Sequence, residues 1–329
     1  MAHTAAENRY QSLPYRRAGG SGLDLPALSF GLWQKFGPDY AYETRREIVL
    51  HAFDLGICHF DGANRYGPPF RAAEKFLGVV LRNDLGAYRD ELIISTKAGN
   101  PIGANPNQRG GSRKTLLGSL EISLRDLGTD YVDVFYSHSP DPTTPLEETV
   151  GALVDAVRQG KALYAGISNY PADRAQQAAR LLREAGVPLL VHQPRYSIFD
   201  RSIETNGLLD TAIADRFGVI VYSPLAQGLL TDKYLAGIPA DARAATSTFL
   251  TPESIDEDYR RRARALNEVA RGRGQSLAQL ALQWVLRRPE VTSALIGASS
   301  TWQLDHNVAA LRAAELTDAE LRLIDQAAS

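Results

Sequence analysis

Residues 92–97 read LIISTK, a short apolar run that closes on a lysine. A strand with one wet face alternates apolar and polar side chains; an unalternated run reads as a strand buried on both faces. Runs of the same kind recur outward from this one. LSFGLW (28–33) and ICHFD (57–61) precede it; VDVFYS (132–137), ALYAGIS (162–168), PLLVHQ (188–193), GVIVYS (218–223) and SALIGAS (293–299) follow. Helical patterns fill the gaps. Leu116, Leu120, Leu124 and Leu127 share a face behind Ser112. Thr144-Pro145-Leu146-Glu147 has the pattern of a capping box with proline at the first helical position. Ser276-Leu277-Ala278-Gln279 repeats that logic before Leu280, Ala281 and Trp284, and Gly186 closes the helix that follows Pro171. Eight evenly sized strand-plus-helix units predict an α/β fold, the closed (β/α)8 TIM barrel. An open doubly wound sheet is the competitor, but no G-x-G-x-x-G follows the first run.

The flanks complete the organisation. In YRRAGGSGLDLPA (15–27), Gly19, Gly20 and Gly22 separate two short segments and predict an N-terminal β-hairpin. Residues 1–14 are polar and unpatterned and are expected to form a flexible lead-in, leaving 15–329 as a single barrel domain. From Tyr222 to Gly297 the chain runs 75 residues, against 25 to 41 between the other strand ends that carry polar residues. The excess is read as a long loop, 226–256, between the seventh and eighth strands, of the kind that often serves as a lid.

Composition excludes several classes. The 329 residues carry a net charge of −2, so no basic excess exists to neutralise a nucleic acid. Only 6 of the 36 basic residues are lysines, so a lysine at the end of a buried run stands out as a candidate for chemistry. The single cysteine, Cys58, excludes an internal disulfide framework; its apolar setting predicts a buried thiol. No stretch is long and apolar enough to span a bilayer, and no signal-peptide core is present. A cytoplasmic protein with no membrane or nucleic-acid partner is expected. The six histidines show no H-x-H or H-E-x-x-H, against a metal-dependent barrel hydrolase.

Barrel enzymes carry their chemistry at the C-terminal ends of strands. Those ends here present Asp61, Lys97, His138, Ser168 with Asn169, Gln193, Tyr222 with Ser223, and Gly297 to Ser300. Tyr66, in NRYGPP, lies five residues beyond Asp61 and can fold back over the same mouth. Taken singly, Asp61 could be a helix N-cap, Lys97 a solvated lysine, His138 a structural histidine and Tyr66 a turn residue. Together they form a proton-transfer set. A free tyrosine has a pKa of about 10; an adjacent lysine cation is expected to lower it, with an aspartate orienting the lysine. A histidine N–H can stabilise charge developing on a carbonyl oxygen. Such a site suits carbonyl reduction once a hydride donor is supplied.

The segments FDGANRYG, LIISTK, FYSHS, GISNY, HQPRYS, YSPLAQGLLTDKY and LIGASSTWQLDHN, in this order, resemble the aldo-keto reductase superfamily from Tyr15 to about Asp325. Within it, RAGGSGLDLPALSFGLWQKFG and YGPP resemble the branch of potassium-channel β-subunits and bacterial glyceraldehyde-3-phosphate (methylglyoxal) reductases. The resemblance implies a catalytic tetrad of Asp61, Tyr66, Lys97 and His138, with Tyr66 the general acid. It implies NADPH/NADP+ as cofactor. Ser168, Asn169 and Gln193 would hold the carboxamide and Tyr222 would stack on the nicotinamide. Ser223, Leu225, Gln227 and Gly228 would line the pyrophosphate, while Lys233 and Arg243 would clasp the NADPH from the long loop. Gly297, Ala298, Ser299, Gln303 and Asn307 would meet the adenosine 2′-phosphate. A Gly/Ser loop opening a helix is itself a ready anion site.

Trp33, Arg65, Tyr66 and His138 are read as the substrate pocket, with Trp33 also against the cofactor. Arg65 is open to two readings, an anchor for a substrate phosphate or carboxylate, or a surface ion pair. Related sequences often carry a base at Ser300 and an acid at His306, and less basic loops around Arg65 and Phe70-Arg71. The expected function is NADPH-dependent reduction of small aldehydes such as glyceraldehyde 3-phosphate, methylglyoxal or related 2-oxoaldehydes. The alternative is an NADPH-binding, redox-sensing regulatory subunit with slow turnover. The branch also implies a homo-oligomer, a tetramer or larger.

Overall fold

The computed structural model describes residues 2–235, 237–238 and 250–329. Two strands, β1 (Tyr15–Arg17) and β2 (Asp24–Pro26), pair antiparallel as the expected hairpin. Gly19 at its turn has φ +55°, and a Cβ there would sit 2.3 Å from the Arg216 carbonyl oxygen, so only glycine fits. The hairpin covers the N-terminal end of the barrel, where Arg16 donates to the Val291 and Leu286 carbonyls, each at 2.8 Å.

Eight parallel strands follow: β3 (Leu28–Gly31), β4 (His59–Asp61), β5 (Ile93–Ala98), β6 (Val132–Ser137), β7 (Ala162–Ser168), β8 (Leu189–Gln193), β9 (Gly218–Val221) and β10 (Val291–Ile296). They close in the order β10-β3-β4-β5-β6-β7-β8-β9, so every edge is paired. Burial along β4, β5, β6, β8, β9 and β10 is unbroken, which is why their sequences do not alternate. Helices α1 (Tyr42–Asp54), α2 (Ala72–Val80), α3 (Arg113–Leu127), α4 (Leu146–Arg158) and α5 (Ala172–Glu184) pack outside, each in the crossover between successive strands.

Local signals set the ends of these helices. Ser112 accepts from the Thr115 backbone N–H to cap α3, and Gly128, at φ +66°, ends it. Ser276 and Gln279 form the expected capping box. The one expected at Thr144 does not form: α4 starts after Pro145 with no side-chain cap, and the Thr144 hydroxyl donates to Asp141 at 2.7 Å instead. Asp141 outcompetes the helix because it already accepts from Gly111 and Thr143, which tie the β5–α3 loop to the β6–α4 loop.

One further expectation is corrected. Residues 2–14 are packed rather than a frayed lead-in: Ala5 and Leu13 are buried, the Ala6 N–H donates to Asp54, and Arg9 pairs with Glu91. The apolar side chains and the cation find partners on the outer layer, so ordering them is compensated. Beyond the expected 226–256 loop, the interval after β9 also holds a helix, Glu257–Gly272, ahead of Leu277–Leu286. Its charged face, rich in arginine and acid, masks the helical period. Cys58 is buried as expected, and burial pushes its thiol up to about 12.

Candidate active site

In a parallel strand, residues two apart share a face. That rule builds the mouth of this barrel. Ser95 and Lys97 point inward from β5, and His59 and Asp61 from β4, where the Lys97 amine meets the Asp61 carboxylate. The Lys97 ammonium donates to Asp61 Oδ2, to the Gly62 carbonyl at 2.9 Å and to the Tyr66 hydroxyl at 3.2 Å. Asp61 also accepts from Ser95 Oγ at 2.7 Å and Gln193 Nε2 at 3.1 Å. His138, the residue after β6, sets its ring edge-on to Tyr66 with centroids 5.8 Å apart. Asp61, Tyr66, Lys97 and His138 therefore converge, and all four are buried.

Burial decides the protonation of this quartet. Asp61 stays ionised, held below the usual carboxylate range by Lys97, His59 and Ser95 against the cost of burial. Desolvation lowers Lys97, an effect that Asp61 opposes. His138 is pushed down to about 3 by burial and by the charge of Lys97, so its imidazole is neutral, with Nδ1 finding no protein partner among the described residues. Tyr66 reverses the expectation: burial and the Asp61 charge hold its pKa well above 10. The phenol is thus kept as a proton donor.

Behind the quartet runs a chain of buried hydrogen bonds that the motifs do not reveal. Ser293 and Ser29 hydroxyls lie 2.6 Å apart, His59 Nδ1 meets Ser29 at 2.8 Å, and His59 Nε2 meets Ser95 at 3.1 Å. Ser95 then donates to Asp61. The one signal for it in the sequence is a histidine inside the apolar run ICHFD, on the same face as the aspartate that ends it.

The remaining candidates occupy the other half of the rim, at the ends of β7 to β10. Ser168 Oγ donates to the Gln193 carbonyl at 2.8 Å, and Asn169 Nδ2 donates to the His138 carbonyl at 3.0 Å. The Tyr222 hydroxyl donates to Asn169 Oδ1 at 2.8 Å, which fixes a half-buried ring beside the mouth. Gln193 is buried with its amide on Asp61, so here it braces the quartet. Past β9, Ser223, Ala226 and Gln227 have φ of +56°, +46° and +60°, and Asn169 has +61°. Such non-glycine strain collects at functional sites. Leu225 and Gly228 lie in the same turn, half-buried, and Gln227 Oε1 is a buried acceptor with no partner among the described residues. Lys233 is exposed nearby.

After β10, a Cβ on Gly297 would meet nothing within 4 Å, leaving an open cradle in front of the helix Thr301–Ala309. Ala298 and Ser299 follow; Gln303 Oε1 accepts from the Ser299 N–H at 2.8 Å, and Asn307 is buried. Ser300 caps that helix through Gln303 N–H. An open cradle and a strained turn on one rim fit a phosphate-bearing dinucleotide, whose hydroxyl or amino groups can supply the donor that Gln227 Oε1 lacks. Trp33 is half-buried past β3, against the core. Arg243 lies outside the described residues. Among the described residues no cluster of His, Cys, Asp or Glu could hold a metal ion.

A closed parallel barrel with lysine, aspartate, tyrosine and histidine at its C-terminal mouth defines a barrel oxidoreductase. The chain belongs to the Aldo/keto reductase family, whose model matches residues 27–329. It is 52% identical over 330 residues, covering 99% of this chain and 95% of the relative, to the L-glyceraldehyde 3-phosphate reductase of Escherichia coli (strain K12). It is also 37% identical over 303 residues, 91% of each chain, to a probable voltage-gated potassium channel subunit beta of Oryza sativa subsp. japonica.

Proposed function

We propose that this protein is an NADPH-dependent reductase of small aldehydes, with L-glyceraldehyde 3-phosphate the first substrate to test and methylglyoxal and related 2-oxoaldehydes beside it. The observation that carries the reading is the Lys97 ammonium bridging Asp61 and the Tyr66 hydroxyl. When bound, the nicotinamide cofactor supplies the hydride. Tyr66 Oη gives its proton to the carbonyl oxygen as that oxygen gains charge, and His138 donates a hydrogen bond to the same oxygen. Lys97 steadies the phenolate left behind, and Asp61 keeps the lysine charged and aimed. Ser168, Asn169 and Tyr222 orient the nicotinamide end; Ser223, Leu225, Gln227 and Gly228 serve the pyrophosphate, and Lys233 and Arg243 clasp the NADPH from the loop after β9. Gly297, Ala298, Ser299, Gln303 and Asn307 receive the 2′-phosphate end.

Support for the substrate class comes from the reductase relative at 52% identity. The regulatory alternative, suggested by the channel-subunit relative at 37% identity, would show NADPH bound, a stable partner and negligible turnover. We further place the protein in the cytoplasm as a homo-oligomer, tetramer or larger. The test is to follow NADPH consumption by purified protein with L-glyceraldehyde 3-phosphate. Stoichiometric glycerol 3-phosphate is expected; cofactor binding without turnover of any aldehyde in a panel would overturn the reading.

A further inference from the structure

Arg65 sits one residue before Tyr66, in the loop between β4 and α2. Its guanidinium is fixed from two sides: Nη1 donates to the Pro101 carbonyl, and the group lies 5.1 Å over the Phe70 ring. Those are its contacts among the described residues, and no carboxylate is among them. Other arginines differ. Arg71 is locked to Asp126 by two hydrogen bonds of 2.6 and 2.8 Å, and Arg195 faces Asp200 at 3.3 Å. A guanidinium carries five N–H donors in a planar fork suited to phosphate and carboxylate. Here one is used, and the charge is felt at His138, inside the mouth. A surface ion pair, the other reading of this residue, has no acid to make it among the described residues.

We infer that Arg65 is the specificity-determining residue that selects aldehydes carrying a phosphate group, by receiving that group on its unused N–H donors. The inference rests on the aldehyde-reductase reading above. The arginine is held before substrate arrives, so little side-chain freedom is lost on binding. The second anchored cation of the loop, Arg71, cannot substitute, because its fork is already spent on Asp126.

The test compares L-glyceraldehyde 3-phosphate with uncharged L-glyceraldehyde in wild type, Arg65→Gln and Arg65→Lys. The selectivity ratio, kcat/KM for the phosphorylated over the neutral aldehyde, should fall about 10- to 100-fold in Arg65→Gln, the range for losing a charged hydrogen-bond pair. Arg65→Lys, which keeps the charge without the fork, should fall between. Raising ionic strength should erode the wild-type ratio and leave that of Arg65→Gln flat. An unchanged ratio in Arg65→Gln would overturn the inference. Calorimetric binding of glycerol 3-phosphate, which has no carbonyl to reduce, separates the two readings. If neither aldehyde is turned over, the reductase reading fails. Binding in wild type that is lost in Arg65→Gln would still uphold Arg65 as the phosphate anchor, and equal binding in both would refute it. Matching melting curves for the variants confirm that each is folded.

Discussion

The Lys97 ammonium, fully buried, makes three hydrogen bonds at the barrel mouth. Removing the amine has two separable effects. Lys97→Met takes away the cation that we propose steadies the Tyr66 phenolate, and it also leaves Asp61 buried without its counter-charge. Breaking a buried pair from one side costs about 3–5 kcal/mol. Lys97→Met should therefore lower denaturant stability by that order as well as turnover. A variant as stable as wild type would mean that Asp61 simply takes up a proton there. At this scale the sequence is informative where residues close a buried run, since strand ends must face the mouth; Asp61, Lys97 and His138 are of that kind. His59 is hidden because it lies inside a run, where a polar residue looks like an exception. The protonation of Tyr66 is not legible, because a sequence shows which charges are near a group and says nothing of how deeply it is buried.

Among the elements, β6 and β7 make the most consequential contact. A Cβ on Gly166 in β7 would sit 2.6 Å from the Tyr136 ring of β6, and that ring lies under the Lys97 ammonium at 5.3 Å. Gly166→Ala should destabilise the fold by about 1–3 kcal/mol, the usual cost of overpacking. It should also reduce turnover by tilting Tyr136 into the lysine, read as a drop in both melting temperature and kcat. A melting temperature equal to wild type would show that the ring has room to move. The eight barrel strands are legible because burial on both faces leaves runs of apolar residues, and the hairpin because Gly19, Gly20 and Gly22 mark its turn. Capping follows the local pattern where no competitor stands nearby, as at Ser276, and departs from it at Thr144, where Asp141 offers a charged acceptor. The helix Glu257–Gly272 escapes a pattern reading because its polar face dominates its composition; only Tyr259, Ala263, Leu266 and Ala270 are buried along it.

Across the whole molecule, three histidines are buried neutral: His59 and His192 are pushed down to about 4 and His138 to about 3 by desolvation. In the unfolded chain each titrates near 6.5. Above that value neither state binds the proton, and stability is unaffected. Below it the unfolded chain takes up protons that the folded one refuses, so unfolding becomes easier as pH falls towards about 4. Each histidine can contribute up to about 1.4 kcal/mol per pH unit in this window. Asp61, held low by Lys97, adds a loss of the same sign in more acidic solution. Glu74, pushed up to about 7 by burial, takes up its proton in the fold over the same range and opposes one histidine. With two histidines uncompensated, urea midpoints should still fall between pH 6.5 and pH 4.5. Midpoints unchanged in Glu74→Gln over that range would contradict the neutral histidines.

We propose that a barrel built from buried strands holds Tyr66 as the proton donor for an aldehyde. Its most direct test is Tyr66→Phe, assayed for reduction of L-glyceraldehyde 3-phosphate while NADPH binding is followed by tryptophan fluorescence. General acid catalysis contributes about 10²–10⁴-fold. A loss of that size in kcat is expected, with NADPH binding unchanged. Tyr66→Phe turning over at the wild-type rate would contradict it.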